Sequence, residues 1–462
     1  MKRIIALIDI NKKNCHKNQH RLQLAFERTK NYYPNLKCKA FDSGIIGSFS
    51  NENETNILSK DTSIDILFQG NLYIKTNGLT DEEFIRRVYN KNGVSALKNL
   101  NGSFNIIILD RNLNKLFLIT DRYLSRPLFI YDKNGKFILA SEVKIILDLL
   151  ERRPLINWSA WGQYLTYRFT LANNTFFEDI RWVDPGTIIE YDLSNHNAKI
   201  QQYWSYAQIS TDYKKTEEEK IDEGVDVFKS VFGRLGKNLD GKKAIIALSA
   251  GYDSRSIVSG LTHFSKNTKF DTITTLHPCG SEVEIVKQIS QILKFKNTYL
   301  DRPENIYQRF YAQKASLVDG LVQEHLWAMP MINFLKNYDA YFDGIAGDII
   351  LRSTRVRPVH IKMANDSAFL SKLFKKQFGF EYGWLQKYVS KETWDKIRYQ
   401  QIWAEDCFNK IPVNENRFQT FLMMYRIRNG VSLSPNNIIG SAVENVYQPF
   451  FDNEMVEFGM SV

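Results

Sequence analysis

The pattern of apolar residues changes once along this 462-residue chain, and that change restricts the folds that the chain can adopt. Residues 1–205 hold many short alternating or apolar runs bounded by Asn, Gly or Asp, a pattern typical of antiparallel strands. A polar stretch follows at 206–220, and after it apolar strands alternate with helical segments. That alternation indicates right-handed crossovers and a parallel sheet. We therefore predict an α+β domain over 1–205 and an α/β domain with a helical extension over 206–462.

Apolar periodicity also predicts the individual elements of each domain. In the first domain, the predicted strands are 4–10, 64–70, 104–110, 115–121, 136–141 and 187–193, and the amphipathic segments are 81–100 and 142–152. In the second domain, the predicted strands are 244–249, 270–276 and 338–345, with helices at 221–236, from Asp253 onward, and at 282–293. Residues 360–462 are expected to be mostly helical.

Composition argues against several classes of protein. No run approaches the ~20 consecutive apolar residues of a membrane span, and the N-terminal segment lacks the cleavage site of a signal peptide. The four cysteines are scattered without a CxxC pair, which argues against a zinc site or a disulfide framework and favours the cytoplasm. The net charge of +10 could indicate an anionic partner, but basic residues are spread along the chain apart from Arg352, Arg355 and Arg357. We expect no nucleic-acid and no membrane partner, and the sequence makes no prediction of oligomeric state.

The motif that carries most chemical information is IIALSAGYDSRSIV (245–258). Its apolar strand runs through Leu248 to Ser249, and a short loop leads into a predicted helix. Backbone N–H groups at the start of a helix lack helical partners and form a ready anion site. Ser249 and Ser254 add hydroxyl donors, and Gly251 lets the backbone approach a ligand closely.

The acidic residue of this motif, Asp253, indicates a bound cation. A carboxylate would repel a phosphate directly, but it fits a Mg²⁺ ion that lies between the carboxylate and the phosphates. The chain has no GxxxxGK[ST] motif, so this is not the phosphate loop of γ-phosphoryl-transferring enzymes. SxGxDS is instead typical of the pyrophosphate loop of enzymes that cut ATP between its α and β phosphates. The alternative is a structural helix cap, because Ser and Asp are good capping residues.

A second glycine-bearing turn supports the first motif. DGIAGDIIL (343–351) follows a predicted strand and contains Gly344, Gly347 and Asp348. Ligands of open parallel sheets bind beyond the carboxyl ends of the strands, where both Asp253 and Asp348 are predicted to lie. We expect these two carboxylates to share one Mg²⁺ ion, with Gly347 at the nucleotide; a helix cap is the alternative for Asp348.

Several segments resemble the asparagine synthetase family, which includes β-lactam synthetases and lasso-peptide cyclases. They are LNGSFNIIILDRNLNKLFLITDRYLSRPLFI (100–130), FILASEVKIIL (137–147), FFEDIRWVDPGTIIEYD (176–192), the loops LSAGYDSR and GIAGDI, and SAVENVYQPFFDNEMVEF (441–458). The resemblance covers essentially the whole chain. It implies a glutaminase-like first domain, built as two antiparallel sheets between helices. For the second domain it implies a PP-loop ATP-pyrophosphatase, with a sheet of the adenine-nucleotide α-hydrolase type.

The first domain departs from the family at its nucleophile. Class II glutaminases use a cysteine directly after the initiator methionine, whose α-amine serves as the base, and this chain has Lys2 there. Where the family holds glutamine with Asn-Gly-Glu-x-Tyr, this chain has Gln-Gly-Asn-Leu-Tyr at 69–73. Gly70, Tyr73 and Asp81 match, but the nucleophile does not. We therefore expect residues in this half to form a scaffold that does not hydrolyse glutamine in the usual way.

The substrate side also differs from true asparagine synthetases. Ile345 stands where the family has a Glu, and Thr354 stands near its Tyr. Glu444 matches the family's late glutamate, which the resemblance implies to be catalytic through deprotonation of the amine. The alternative for Glu444 is a buried helix residue paired with Arg426 or Arg428.

The family's late lysine, which contacts the adenylate phosphate, has no counterpart before Val462. We expect either that the chain is truncated there or that another cation, such as Arg255 or Arg352, replaces that lysine.

Together these features predict an AMP- and pyrophosphate-forming ligase that activates a carboxylate with ATP and Mg²⁺ and transfers it to ammonia or an amine. Thr275, Leu276 and His277 end a strand and are expected on the adenine side. We expect the acid to be a small molecule or a peptide carboxylate, and the sequence leaves its identity open. Two alternatives remain: a PP-loop enzyme that modifies tRNA, and a nucleotide-binding homologue without activity, suggested by Ala250 and the missing cysteine.

Overall fold

A computed structural model describes residues 2–11, 14–50, 63–74, 76, 78–211, 214–239, 241–265, 269–276, 282–351, 355–398 and 400–462. Within these residues, no helix combines the length and the apolar character needed to cross a lipid bilayer.

Eleven strands in the first part of the described chain form two antiparallel sheets. They are β1 (Arg3–Asp9), β2 (Asn35–Phe41), β3 (Gly44–Ser50), β4 (Ile64–Leu72), β5 (Gly102–Asp110), β6 (Lys115–Thr120), β7 (Phe129–Lys133), β8 (Lys136–Ala140), β9 (Ile180–Trp182), β10 (Thr187–Asp192) and β11 (Asn197–Gln202). The strand order is β2-β3-β1-β8-β7-β9 in the first sheet and β11-β10-β6-β5-β4 in the second. These pairings confirm the predicted antiparallel architecture of this half.

The alternation of side chains along β5 explains the four consecutive apolar residues 106–109. Ile107 and Leu109 join the core between the two sheets, whereas Ile106 and Ile108 join a second core with Ile85. A strand segment that is buried on both faces has apolar residues at consecutive positions instead of every second one.

Four helices accompany these sheets: α1 (Cys15–Thr29), α2 (Asp81–Asn92), α3 (Val143–Leu149) and α4 (Trp158–Tyr167). The first and third pack on the first sheet, and α2 packs on β4. The predicted helical segment 81–100 is interrupted at Gly93, whose φ of 70° lies in the left-handed region, and a 3₁₀ turn follows at Val94–Asn99.

The second part of the described chain contains a five-stranded parallel sheet, which confirms the predicted α/β architecture. Its strands are β12 (Ala244–Ala247), β13 (Phe270–Leu276), β14 (Asn297–Asp301), β15 (Ala340–Phe342) and β16 (Asn445–Tyr447), in the order β14-β13-β12-β15-β16. The helices of this part are α5 (Glu217–Lys237), α6 (Tyr252–Phe264), α7 (Glu282–Leu293), α8 (Ile306–Leu317), α9 (Ile332–Leu335), α10 (Gly347–Ile350), α11 (Pro358–Lys362), α12 (Ser367–Phe378), α13 (Lys391–Ile397), α14 (Gln400–Asn409), α15 (Arg417–Phe421) and α16 (Asn453–Ser461). Further 3₁₀ turns are Tyr206–Gln208, Leu326–Met331, Gly383–Lys387, Ile439–Ser441 and Pro449–Phe451, and π-helical segments are Leu422–Val431 and Ser434–Ile438.

The two parts are joined through a buried guanidinium. Arg126 donates to Asn436 Oδ1 at 2.7 Å, to Asn71 Oδ1 at 2.9 Å and to the Val446 carbonyl oxygen at 2.6 Å. The Asn71 side chain also donates to Asn445 Oδ1 at 2.7 Å. A fully buried arginine needs such partners for its donors, so these bonds hold β4, β16 and the helix at 434–438 in a fixed relation.

Candidate functional site

The loop between β12 and α6 is held by its own two serines. Ser249 N donates to Ser254 Oγ at 3.0 Å, and Gly251 N donates to Ser249 Oγ at 3.1 Å. Ser254 Oγ in turn lies 3.2 Å from the Ser249 carbonyl oxygen, and Ser254 is only 8% exposed. Ser254 therefore holds the conformation of the loop from inside, and its expected role as a hydroxyl donor to a ligand stays a prediction. Leu248 is buried below the loop and donates its N–H to the Ile273 carbonyl oxygen at 2.9 Å.

The start of α6 has the features of an anion site. Its N-cap is Gly251, and no side chain provides a capping hydrogen bond there. The first-turn N–H groups of a helix have no helical acceptors, so they point outward with the positive end of the helix dipole. Arg255, one turn into the helix, lies beside this end, with its Nε 3.3 Å from the Gly251 carbonyl oxygen and its guanidinium over the Tyr252 ring. The capping alternative for the serines and Asp253 therefore has no support from the N-cap geometry.

The two predicted acidic residues lie together at the carboxyl edge of the parallel sheet. The main-chain N–H of Asp348 donates to Asp253 Oδ2 at 3.1 Å, although 95 residues separate the two in sequence. This contact requires glycine at position 347, because a Cβ atom there would lie 2.8 Å from Asp253 Cγ and 2.9 Å from Asp253 Oδ1. Gly344 is also close, with a Cβ position 3.1 Å from Asp253 Cβ. The glycines of the second turn thus make room for the carboxylate of the first loop.

The turn after β15 is fixed from two sides. Asp343 N donates to the Tyr447 carbonyl oxygen at 3.0 Å, and Asp343 Oδ1 accepts from Ile345 N at 2.9 Å. Ala346 has a φ of 70°, which directs the chain into the single turn of α10 and presents Asp348 in its first turn. Desolvation by the surrounding protein raises the pKa of Asp343 to about 6. Ile345, at the position of the family's glutamate, is buried.

Other charged residues surround Asp348. Arg355 Nε lies 3.7 Å from Asp348 Oδ2, and Arg426 is close enough for the charges of Asp348 and Arg355 to act on its pKa. Arg426 Nη2 lies 4.0 Å from Glu324 Oε2. The sequence singled out Arg426 only as a partner for Glu444, and Glu324 carried no motif signal, so their place beside Asp348 depends on the tertiary fold.

The described residues contain no group of three or more His, Cys, Asp or Glu side chains arranged to hold a metal ion. Two carboxylates are enough for Mg²⁺ in nucleotide sites, because the ion takes its other ligands from phosphates and water. The carboxylate oxygens of Asp253 and Asp348, beside the uncapped start of α6, are donors of the kind that Mg²⁺ prefers. The Leu276 side chain, His277, Arg352 and Thr354 lie outside the described residues, so the predictions for them stay predictions.

Glu444 is not brought to this edge of the sheet. It precedes β16, and β16 runs parallel to β15 with Asn445 paired to Ala340 at the amino end. Asp343 and Asp348 follow the carboxyl end of β15, about 10 Å further along strands of three residues. The proposed partners of Glu444 also lie elsewhere, since Arg428 donates to the Ala172 carbonyl oxygen at 2.6 Å and Arg426 faces Glu324. The structure therefore separates Glu444 from the two aspartates, and its expected role in deprotonating the amine stays a prediction.

Glu444 instead lines a cavity of about 790 Å³ where the two parts of the chain meet. Gly70 and Asp81, two of the matches to the glutamine-holding segment, line the same cavity. Lys2 also lines it, with Lys2 Nζ 2.5 Å from Glu82 Oε1. Asp81 Oδ2 accepts from Leu72 N at 3.1 Å, and desolvation raises its pKa to about 6. The ion pair between Lys2 and Glu82 is thus part of the wall of this cavity.

Tyr73 lies behind this cavity wall. Its side chain is buried, and its hydroxyl accepts a hydrogen bond from Gln448 N at 3.0 Å. The tyrosine that matches the family therefore joins the two parts of the chain.

Comparisons with known proteins find similarity to several proteins of amide chemistry. Residues 67–204 match a family model described as a glutamine amidotransferase domain. Asparagine synthetase [glutamine-hydrolyzing] 2 of Bacillus subtilis is 29% identical over 170 residues, which cover 33% of this chain and 22% of that protein. A Methanocaldococcus jannaschii protein, provisionally named asparagine synthetase [glutamine-hydrolyzing] 2, is 25% identical over 242 residues, or 48% of this chain and 46% of that protein. Amidase chry2 of Gibberella zeae is 27% identical over 219 residues, which cover 46% of this chain and 31% of that protein.

The matched segments span between about a fifth and a half of the length of these relatives. Among solved structures, "structure of the allosteric regulatory enzyme of purine biosynthesis" aligns with 64% of this chain and 89% of that chain at 11% identity. Its TM-score of 0.31 is too low to carry an argument. The chain is therefore similar to a glutamine amidotransferase domain over residues 67–204, and to parts of asparagine synthetases at modest identity.

Proposed function

We propose that this chain is an ATP-dependent ligase that adenylates a carboxylate, releases pyrophosphate, and transfers the acyl group to ammonia or an amine. The observation that carries the proposal is the meeting of Asp253 and Asp348 at the start of a helix without a side-chain cap. The names of the sequence relatives, asparagine synthetases and an amidase, support an enzyme of amide chemistry.

Asp253 and Asp348 would hold Mg²⁺ between them, and the bound ion would offset the charge of the departing pyrophosphate. The first-turn N–H groups of α6, the Ser249 hydroxyl and Arg255 would bind the pyrophosphate oxygens. Ser254 would keep the loop in the conformation that presents those N–H groups, through its bonds to the backbone at Ser249 and Gly251.

The reaction has two displacements. In the first, an oxygen of the substrate carboxylate forms a bond to the α-phosphorus of ATP, and the bond to the β-phosphate oxygen breaks, so pyrophosphate leaves. In the second, the nitrogen attacks the acyl carbon, AMP leaves, and the nitrogen loses a proton. The protein contributes mostly by positioning and by charge stabilisation, each charged contact being worth about 2–4 kcal/mol.

The first domain would act as a scaffold in this scheme. The relatives from Bacillus subtilis and Methanocaldococcus jannaschii carry names that include glutamine hydrolysis. In this chain the wall of the corresponding cavity holds Lys2 paired with Glu82, and an ammonium group is not a thiol nucleophile. We therefore infer that the nitrogen comes from free ammonia or an amine and not from glutamine at this cavity.

The test is an exchange assay between ATP and labelled pyrophosphate, run with a panel of carboxylic acids and followed by AMP release with amines. The Asp253→Asn variant should lose exchange by about a hundredfold or more, since it removes one charged contact to the metal. The matched control is Asp226→Asn, an exposed aspartate on α5, which should exchange at the wild-type rate. Wild-type exchange by Asp253→Asn, with Mg²⁺ still required, would show that this carboxylate is not a metal ligand.

A further inference from the structure

A second group of charged residues lies near Asp348. It consists of Arg426, Glu324, His325 and Lys314, and we call it the Arg426 cluster. None of these residues belongs to the loop motifs of the nucleotide site. Its members influence one another electrostatically, and the charge of Asp348 acts on Arg426 as well.

The guanidinium of Arg426 is held by contacts that leave its hydrogen-bond donors unoccupied within the described residues. Its side chain is 17% exposed, and desolvation lowers its pKa. Among the described residues, none accepts a hydrogen bond from it. Its contacts there are the ring of Phe378, 5.1 Å from the guanidinium carbon, and Glu324 Oε2 at 4.0 Å. A half-buried guanidinium stacked on an aromatic ring keeps its planar fork of donors for a ligand.

Two hydrogen bonds from side chains to backbone carbonyl oxygens hold the loop that contains Glu324. Lys314 is buried and donates from Nζ to the Val322 carbonyl oxygen at 2.9 Å, and Asn437 donates from Nδ2 to the Leu317 carbonyl oxygen at 3.0 Å. His325 follows in a left-handed conformation with a φ of 65°, and desolvation lowers its pKa to about 4, so its ring is neutral at pH 7. Glu324 is therefore the carboxylate of the cluster that faces Arg426, at a defined place.

Arg426 itself lies on an element of unusual conformation. The segment Leu422–Val431 is π-helical, and Ser432 N donates to the Ile427 carbonyl oxygen at 2.9 Å. Such wide turns are rare and are often found at functional sites. Neighbouring side chains anchor the segment, since Asn429 Nδ2 donates to the Thr170 carbonyl oxygen at 2.7 Å. A side chain that emerges from an anchored element can be preorganised for a ligand.

We propose that Arg426 is the residue that binds the carboxylate of the acid substrate, with Glu324 as a positioning residue that orients the guanidinium. The assignment rests on the proposed function, because it places the carboxylate beside Asp348 and so beside the nucleotide. A planar carboxylate matches the guanidinium fork through two parallel hydrogen bonds. In the proposed function the phosphates have a separate site at the start of α6. Loop 249–254 would thus bind the phosphates of the nucleotide, and Arg426 would bind the carboxylate of the acid substrate in the same ligase reaction.

The experiment measures nucleotide and carboxylate binding separately on the full chain. Calorimetry first determines the affinity for α,β-methylene-ATP with Mg²⁺, and then the affinity of that complex for succinate and for its neutral match, succinamide. We expect the wild type to bind succinate and not succinamide. Arg426→Gln should weaken succinate binding by at least about tenfold, while nucleotide affinity stays within about twofold. Arg426→Lys, which keeps the charge without the fork, should give an intermediate loss, and Glu324→Gln a smaller one.

Arg398→Gln is the matched control, because Arg398 is an exposed arginine paired with Asp395 on α13, and it should bind succinate like the wild type. The inference is overturned if Arg426→Gln and Arg426→Lys both bind succinate with wild-type affinity. It is also overturned if the wild type binds succinamide as tightly as succinate, or binds neither. Failure of the wild type to bind the nucleotide with Mg²⁺ would instead count against the proposed function, which separates the two failures.

Discussion

The glycine at position 347 provides the sharpest test of the packing around Asp253. In Gly347→Ala, the new methyl group would lie 2.8 Å from Asp253 Cγ and 2.8 Å from Phe450 Cε2. Phe450 is fully buried, so the carboxylate of Asp253 is the group that must move. Overpacking of this kind costs about 1–3 kcal/mol, and the greater helix propensity of alanine returns about 0.5–1 kcal/mol. We expect a net loss of about 1–2 kcal/mol in the free energy of unfolding.

The larger consequence should be functional. A displaced Asp253 carboxylate also loses the hydrogen bond from Asp348 N, so affinity for α,β-methylene-ATP with Mg²⁺ should fall by at least about tenfold. Urea unfolding and calorimetry measure the two effects. The matched control is Gly383→Ala, because Gly383 is exposed and a Cβ atom there meets no other atom within 4 Å. The reasoning is refuted if Gly347→Ala matches this control in both unfolding free energy and nucleotide affinity.

Three further predictions concern stability, each measured by chemical denaturation. Arg126→Ala removes the buried guanidinium that joins the two parts of the chain and should lower the free energy of unfolding by about 3–5 kcal/mol. The control Arg87→Ala, at an exposed arginine, should change it by less than about 0.5 kcal/mol. Equal effects of the two substitutions would contradict the role of Arg126. Asp81 has a pKa of about 6 in the folded protein against 3.8 in the unfolded chain, so its contribution to folding is fully present below pH 4 and is lost as pH rises through 6. The stability of the wild type relative to Asp81→Asn should therefore fall by at most about 3 kcal/mol from pH 4 to pH 7. A rise in relative stability over this range would contradict the predicted sign. Thr216→Ala removes the capping box of α5, in which Thr216 Oγ1 accepts a hydrogen bond from Glu219 N at 3.2 Å. The substitution should lower the free energy of unfolding by about 1 kcal/mol. An unchanged denaturation midpoint would mean that this helix end is frayed in solution.

The sequence predicted well those features that depend on local pattern. The predicted strand 270–276 and helix 282–293 agree with β13 and α7, because their apolar periodicity is continuous and both ends carry clear stop signals. The parallel sheet also followed from the alternation of strands and helices. The short strand β16 was missed, since three residues carry no periodicity that could separate them from the helices around them.

The candidate site was predictable in part. Asp253 and Asp348 could be placed at one sheet edge, because each follows a strand of the same parallel sheet and carboxyl ends share an edge. Glu444 could not, since its position relative to β16 depends on where a three-residue strand begins. Arg426 and Glu324 are about a hundred residues apart and belong to no motif, so only the tertiary structure brings them together.

The central claim is that Asp253 and Asp348 hold one divalent ion at the start of α6. Crystals grown with α,β-methylene-ATP and Mn²⁺ as a stand-in for Mg²⁺ would locate the ion by its anomalous scattering. The account predicts a single peak within about 2.0–2.3 Å of a carboxylate oxygen from each residue, with the remaining ligands from phosphate and water. An ion bound with neither carboxylate in its coordination shell, or a nucleotide seated away from loop 249–254, would contradict it.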